Sequence, residues 1–372
     1  MRRLGLLVPF ALALGLSAAV PKEEALHAAS VSKPTSSQQT APAVALLLTP
    51  PQGDTTELVF QQPGANVAAP AVAKLRHVTG GTVKGALLPR SRTVVAIADV
   101  EPGRDPSWGA ALYRLEEGRE PVLLADRVYT STRPLVLDDG RVIVQRGRAG
   151  SEPPHEAGFL RIDDITIDAV DPTTGTITTL HDYSGYIAFV AGALDREAFV
   201  YRVGPHGADI VAIDVNTGTV RVLAPNILPF ARDFSVDPKN RALVFTQRDE
   251  RSSQLWAVER LDLATGARTR LAVGPRMALV PHALPDGRIV LNPEGDKGLT
   301  LMWSGGRTQP VRPLGDGVDA VRDISPDGKW AAVLHTLPSQ LPQAFVLSLD
   351  TYQSLPLQVK DGVRVEIAGV LP

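Results

Sequence analysis

The chain has 372 residues, of which 44% are hydrophobic and 21% are charged, and its formal net charge is −2. This balance provides no basic surface for nucleic acid or for an anionic membrane, and it is not the composition of a disordered chain. Cysteine is absent, which excludes disulfides, thiolate metal sites and cysteine nucleophiles.

The N-terminal residues have the pattern of a secretory signal peptide. A basic start (MRR) precedes an apolar run over residues 4–16, and Ser17 and Ala19 supply the small residues of a cleavage site. The run is shorter than the ~20 residues that a membrane-spanning helix needs. We therefore predict a signal peptide over residues 1–19, export to the periplasm or the medium, and no membrane span after cleavage.

Residues 20–43 are small, polar and proline-containing, without a sustained apolar period. Such a composition is typical of a flexible linker. No further linker or domain boundary is evident beyond it, and we predict a single domain over residues 44–372.

A repeated phrase runs through this domain. ISPDGKWAAVL (residues 324–334) recurs in altered form as SVDPKNRALVF (235–245) and ALPDGRIVLN (283–292), and fainter copies lie at residues 86–97, 136–145 and 192–202. Each copy is a short apolar strand, a tight turn and a second β-rich strand. The turns follow one another at intervals of 41 to 57 residues, which accommodate four short strands. This periodicity predicts an all-β fold, a single β-propeller.

A second motif follows most copies of the first. DPTTG, DVNTG and DLATG, beginning at Asp171, Asp214 and Asp262, each place an aspartate four residues before a glycine. The carboxylate can accept hydrogen bonds from the turn amides, and glycine tolerates the positive φ of a hairpin bulge. We expect these turns to join the last two strands of a blade. The spacing lacks the dense oxygen ligands of a calcium site.

The two ends of the domain predict how the ring closes. Residues 363–372 (VRVEIAGVLP) resemble an innermost strand that stops where its turn would begin, and residues 49–62 resemble a turn and a second strand. Joining them in one blade would close the ring through the C-terminal strand and hide two strand edges. This reading favours seven blades. Two alternatives remain: residues 44–48 form the inner strand, or residues 49–80 form no blade and leave six.

The S-P-D-G-K turn followed by D-x-x-T-G resembles the WD40-like (PD40) repeats of TolB-type β-propellers. The resemblance covers most of residues 86–372, and it implies a propeller fold more strongly than any function. This chain has Ile324 and Phe234 where that family often has tryptophan before the serine. No N-terminal domain of the TolB kind is apparent in the sequence.

Motifs for catalysis are absent: the chain has no G-x-S-x-G, H-E-x-x-H, P-loop or G-x-G-x-x-G sequence. One constellation remains. Aligning the repeats on Ile324–Ser325 and Phe234–Ser235 places polar side chains at the entry of three consecutive inner strands. These candidates are Asp233, His282 and Asp323, with Arg232 and Arg322 beside the two aspartates.

Innermost strands line the channel of a propeller, so these side chains could converge at its mouth. Two aspartates and a histidine could hold a divalent metal or act as acid and base. The alternative is that arginine and aspartate form ion pairs that tie neighbouring blades together. We favour the ion pairs, assign no catalytic residue, and expect no cofactor unless a divalent metal binds in the channel.

The longest interval between turns contains an insertion, residues 145–164, that is rich in Gly, Pro and mixed charge. Long loops on rigid scaffolds often carry binding residues. The binding-loop candidates are Arg148, Glu152, His155 and Glu156. A neutral insertion is the alternative.

These observations favour an exported, monomeric propeller of the bacterial envelope that binds a protein or ligand without catalysis. Its partner would be an envelope or secreted protein and not a nucleic acid. The second reading is a propeller enzyme, a metal-dependent lactonase or a lyase, with chemistry at the central channel. Unpaired carboxylates that converge on the channel would favour the enzyme, whereas residues that pair off across blades would favour the binding protein.

Overall fold

A computed structural model describes residues 40–99, 109–129, 133–147, 165–183, 187–204, 206–228, 230–249, 251–275, 280–292, 298–303, 305–311 and 317–372. The chain divides into two compact units, residues 1–40 and 41–372. Only Thr40 of the first unit is described, so the predicted signal peptide and most of the predicted linker lie outside the described residues. Within the described ranges, the second unit consists of strands and turns, and no helix is long and apolar enough to cross a membrane.

The strands form antiparallel sheets whose members mostly follow one another in sequence. The first strands are Val44–Thr49 (β1), Thr55–Gln61 (β2) and Ala73–Arg76 (β3). An eight-stranded sheet contains Val83–Leu87 (β4), Val94–Asp99 (β5), Ala110–Leu115 (β6), Val122–Val128 (β7), Leu135–Val136 (β8), Val142–Gly147 (β9), Ile165–Val170 (β10) and Ile177–Tyr183 (β11). The next sheet contains Ile187–Leu194 (β12), Glu197–Gly204 (β13), Gly207–Asp214 (β14) and Val220–Ile227 (β15).

Three further sheets of four strands follow, and the last strand of the chain completes another four-stranded sheet with β1–β3. The three sheets contain Arg232–Asp237 (β16), Ala242–Asp249 (β17), Ser252–Asp262 (β18) and Arg268–Pro275 (β19), then His282–Ala283 (β20), Ile289–Leu291 (β21), Leu299–Met302 (β22) and Thr308–Val311 (β23), and then Val318–Ile324 (β24), Trp330–Thr336 (β25), Gln343–Ser348 (β26) and Ser354–Pro356 (β27). The last strand, Arg364–Val370 (β28), pairs with β1.

The prediction of seven blades is wrong. The described residues form six sheets, five of four strands and one of eight. The eight-stranded sheet arises because β8 pairs only with Val142 and Ile143 of β9 and leaves the rest of that edge open. The end of β7 pairs there, through Val128 and Arg146, and so joins strands that the repeats had assigned to two blades.

The C-terminal strand closes the ring as the sequence predicts. The order of the closing sheet is β28-β1-β2-β3, and β28 contacts the inner strands β4 and β24 on its two sides. The detailed assignment of the N-terminal strands was wrong. Residues 55–61 form the third strand of this sheet rather than the second, and residues 44–49, which the alternative reading made the inner strand, form the second.

The inner strands, by which we mean β4, β8, β12, β16, β20, β24 and β28, follow one another around a central channel. In each four-stranded unit we count strands outward from the inner strand. Since neighbouring strands are antiparallel, the connections from the first to the second strand and from the third to the fourth lie at one end of the sheets, which we call the turn face. The remaining connections lie at the opposite end, the loop face. Several inner strands carry a β-bulge, including β12, β16 and β24, which bends the strand at the channel.

The core lies between consecutive sheets. One cluster packs Phe199, Tyr201 and Leu223 of one sheet against Phe245 and Leu261 of the next. Another joins the closing sheet to its neighbour through strands β1, β28, β25 and β26. Each sheet therefore buries both of its faces against other sheets, and the ring is held together by apolar contact all round.

The turn chemistry predicted from the D-x-x-x-G motif is confirmed. In the third-to-fourth strand turn of one sheet, Asp214 Oδ1 accepts the amides of Asn216 and Thr217, each at 3.0 Å. Gly218 follows with φ of 70°, and a Cβ there would lie 2.6 Å from the Leu180 carbonyl oxygen of the preceding sheet. The motif thus forms the turn and also allows neighbouring sheets to approach closely.

Arginines link the sheets at the turn face. Arg141 Nη1 donates to the carbonyl of Val215 at 3.1 Å, and Arg221 Nη1 donates to the carbonyl of Leu263 at 3.1 Å. Each acceptor follows the aspartate of a D-x-x-x-G turn in the next sheet. The repeat therefore supplies the contacts between sheets as well as those within them.

Candidate functional site

The turn prolines fix which inner-strand residues are equivalent. Ser235, His282 and Asp323 each lie three residues before the proline of their turn, and they pair with Val244, Val290 and Ala332 of the adjacent strands. The residue equivalent to Asp323 is therefore Ser235, and Asp233 lies two residues earlier. Asp323 is the sixth of the seven residues of β24 and lies next to its turn rather than at the entry that the sequence predicts, whereas His282 begins β20 and Asp233 is the second residue of β16.

The three equivalent side chains each bond to the next inner strand. Ser235 Oγ accepts the Ala283 amide at 2.9 Å, and Asp323 Oδ2 accepts the Val370 amide at 2.7 Å. The His282 ring forms a hydrogen bond with the backbone of Val321. This position of the repeat therefore links neighbouring inner strands around the channel.

Asp233 lies in the bulge of β16 with φ of 55°, in the left-handed region that is uncommon for non-glycine residues. Its Oδ2 accepts Arg232 Nε at 2.7 Å and the hydroxyl of Thr246 at 3.1 Å. The ion pair joins adjacent residues and fastens the bulge to its own sheet. It does not tie two blades together, as the ion-pair interpretation had assumed.

Arg133, which the sequence analysis did not single out, crosses the channel. It precedes β8, and its Nη1 donates to the carbonyl of Arg322 on β24 at 2.7 Å. Its Nε lies 3.2 Å from Glu366 Oε1 on β28. The sequence gives little sign of this role, because β8 has only two residues and its turn is one of the fainter copies of the repeat.

The charges in the channel act on one another. Burial, together with the positive charges of Arg322 and Arg133, lowers the pKa of His282 to about 4, so the imidazole is neutral at pH 7. Its Nε2 is buried and has no hydrogen-bond partner among the described residues. Burial also raises the pKa of Asp323, against the opposing effect of Arg133.

A cleft of about 820 Å³ opens at the end of the channel on the turn face. Its walls come from the ends of β4, β8, β24 and β28 and are largely apolar, with Leu87, Val136 and Val370 among them. Arg133 and Asp323 also line it. Two of the channel residues are therefore accessible from this side of the ring.

The described residues contain no cluster of three or more His, Asp or Glu side chains that could hold a metal ion. The structure brings Arg133, Arg322, His282 and Asp323 into one interacting group, whereas Asp233 and Arg232 bond to each other and to Thr246. The binding-loop candidates Arg148, Glu152, His155 and Glu156 lie outside the described residues. The strands that flank them, β9 and β10, end and begin at the loop face.

Solved structures with similar folds were found at low sequence identity. The puromycin hydrolase S511A variant complexed with PGG is 16% identical, with a TM-score of 0.57 over 87% of this chain and 54% of its own. An oligogalacturonate lyase from Vibrio parahaemolyticus is 12% identical, with a TM-score of 0.54 over 83% of this chain and 92% of its own. TolB from Acinetobacter baumannii is 16% identical, with a TM-score of 0.48 over 78% of this chain and 67% of its own.

No protein-family model matches the sequence, and no curated protein matches it significantly. This chain spans about half the length of the puromycin hydrolase. At these identities the similarities show the fold alone, and they include enzymes as well as TolB. The chain is an all-β protein with the β-propeller fold.

Proposed function

We propose that the chain is an exported β-propeller of the bacterial envelope that binds a partner without catalysing a reaction. The supporting observation is the bonding of the channel carboxylates. Asp323 accepts the Val370 amide and Asp233 is paired with Arg232, so both side chains have structural partners in the inner strands. Carboxylates used in this way stabilise the ring and leave binding to the surfaces of its two faces.

We further propose that residues 1–19 are a signal peptide, that residues 20–43 are a flexible linker and that residues 44–372 are the propeller. The basic, apolar and small-residue pattern of the N-terminus supports export to the periplasm or beyond. A linker before a rigid ring suits a monomeric domain that meets an envelope or secreted protein partner. The insertion with Arg148, Glu152, His155 and Glu156 is the proposed contact.

Affinity capture tests this proposal. Tagged protein of residues 20–372 is cross-linked in envelope extracts and compared with a variant carrying alanine at the four binding-loop positions. A control variant carries alanine at Lys239 and Lys329, which are exposed on the turn face. We expect a stoichiometric partner with the wild type and the control, and a clear loss with the loop variant.

Two results would contradict the proposal in different ways. If no protein is enriched over the tag alone, the protein-binding function is wrong. If the loop variant captures the same partner as the wild type, the function stands but the contact does not involve these four residues.

A further inference from the structure

The stretch from the end of β15 to the start of β16 crosses the loop face with an unusual backbone. Asn226, Phe230 and Asp233 have φ angles of 57°, 71° and 55°. This left-handed region is uncommon for residues other than glycine, and a bulky side chain there is an outlier. Such a conformation has an energetic cost, and it persists only where the surrounding structure enforces it.

Tyr201 of β13 holds this connection in place. Its side chain is 2% exposed, and its hydroxyl donates to the carbonyl of Leu228 at 3.2 Å. The backbone of Phe230 and Ala231 interacts with the same hydroxyl. The Tyr201 ring also packs against Phe234 of β16, with their centroids 5.6 Å apart. The buried tyrosine thus fixes the backbone on both sides of Phe230.

The Phe230 side chain lies outside this anchored backbone and is 66% exposed. Arg248, at the loop-face end of β17, places its guanidinium carbon 5.1 Å from the centroid of the Phe230 ring, which is a cation–π distance. No carboxylate among the described residues pairs with Arg248, since the adjacent Asp249 is buried and paired with Arg251 at 2.9 Å. Glu250 lies outside the described residues.

The conformation of Phe230 is not explained by the stability of the fold. A single exposed apolar side chain is ordinary on a protein surface, but this one is kept at a backbone angle that glycine would adopt without the steric cost. Aromatic residues and arginine are the side chains enriched at protein interfaces. An aromatic ring on a fixed backbone also loses little conformational freedom when it binds.

We propose that Phe230 and Arg248 form a docking site for a folded protein partner. The ring of Phe230 enters an apolar pocket of the partner, and Arg248 pairs with a carboxylate at the rim of that pocket. Because Phe230 projects from the loop face, the partner supplies the pocket, and the positive charge of Arg248 favours a negative group beside it. This inference rests on the protein-binding function proposed above.

Site-specific photo-cross-linking tests the contact. Phe230 is replaced by p-benzoylphenylalanine in the protein of residues 20–372, and the same replacement of Leu123, which is 57% exposed on the outermost strand β7, is the control. In envelope extracts we expect one protein to be cross-linked from position 230 and not from position 123. The cross-linked peptide should belong to an apolar pocket with an aspartate or glutamate at its rim.

The outcomes separate this inference from the proposed function. If the wild-type protein captures no partner, the protein-binding function and the docking site are both wrong. If the wild type captures a partner that is not cross-linked from position 230, the function stands and the docking site is wrong.

Substitution of Phe230 separates binding from stability. Phe230→Gly should weaken binding of the purified partner about 10-fold or more, as for an interface hot spot. The midpoint of its thermal unfolding should stay equal to or above that of the wild type, because glycine relieves the left-handed backbone. Leu123→Ala is the control for binding. Unchanged affinity of Phe230→Gly would overturn the proposal, and so would weakened binding together with a lower midpoint.

Substitution of Arg248 tests the charge of the partner. Arg248→Gln should weaken binding about 3-fold to 10-fold and reduce its dependence on salt, since one charge pair is lost. Arg248→Lys keeps the charge and should retain most of the affinity. Arg119→Gln is the matched control, because Arg119 is an exposed arginine of the turn face, paired with Glu116. Equal affinity of Arg248→Gln and the wild type at low salt would contradict the pairing with a carboxylate.

Discussion

Replacing Asp323 tests whether the side chains of the inner strands fasten the ring. Asp323 Oδ2 accepts the amide of Val370 on the closing strand at 2.7 Å. Asp323→Ala removes the acceptor and leaves a shielded amide without a partner, which costs about 1–3 kcal/mol. Asp323→Asn keeps an oxygen acceptor of the same shape and removes the charge. We therefore expect the alanine variant, but not the asparagine variant, to be destabilised at pH 7.

The ionisation of Asp323 should also make the stability of the protein depend on pH, in a direction that the structure defines. Burial raises the pKa of Asp323 in the folded protein above its ordinary value, so the folded state holds this proton more tightly than the unfolded state does. Ionisation then reduces stability as pH rises from the unfolded pKa through the folded pKa. The wild type should consequently gain stability relative to Asp323→Asn when the pH falls from 7 to about 4.

Denaturant unfolding at pH 7 and pH 4, followed by circular dichroism, measures both effects. Hydrogen exchange of the Val370 amide should be faster in Asp323→Ala than in Asp323→Asn, because only alanine lacks an acceptor. The reasoning is refuted if Asp323→Ala is as stable as the wild type at pH 7. It is also refuted if the difference between the wild type and Asp323→Asn shifts in the opposite direction on acidification.

Three further predictions concern the closing strand, the inner-strand contacts and the channel. Ile367→Ala should lower the free energy of unfolding by about 2–5 kcal/mol because Ile367 is fully buried in β28. The control Val318→Ala, at a side chain that is 65% exposed, should change this free energy little, and denaturant unfolding measures both variants. Gly192→Ala should destabilise by about 1–3 kcal/mol, since its Cβ would lie 2.6 Å from a side chain of the next inner strand, and Gly305→Ala, where a Cβ meets nothing, is its control in thermal unfolding. In the ligand-free protein, NMR titration should give His282 a pKa of about 4, and a value near 6.5 would show that the ring is solvated.

The repeat predicts the local structure well because its turns depend on nearby residues. The amides near Asp214 and the positive φ of Gly218 follow from the D-x-x-x-G spacing alone. Closure by the C-terminal strand was also predictable, since residues 363–372 match the inner-strand part of the repeat without its turn. The turn depends on nearby residues, and the closing strand is recognisable from its own sequence although its partner β1 lies at the other end of the domain.

The number of sheets and the channel group depend on contacts between distant residues. Pairing of Val128 with Arg146 joins two predicted blades, and it follows from the shortness of β8, which the repeat does not reveal. The sequence prediction aligned Ser235 with Ser325. Aligning the turn prolines instead makes Ser235 the equivalent of Asp323, and Asp233 lies two residues before it. The role of Arg133 could not be predicted, because its contacts with Arg322 and Glu366 join strands that lie far from it in the sequence.

Metal content tests most directly whether the channel carboxylates are structural or catalytic. Purified wild-type protein and the Asp233→Asn and Asp323→Asn variants are dialysed against Mn²⁺ and analysed by elemental mass spectrometry. We expect no stoichiometric metal in any of the three proteins. One metal ion per wild-type chain, lost in both variants, would contradict a binding scaffold with structural carboxylates and favour a metal-dependent enzyme.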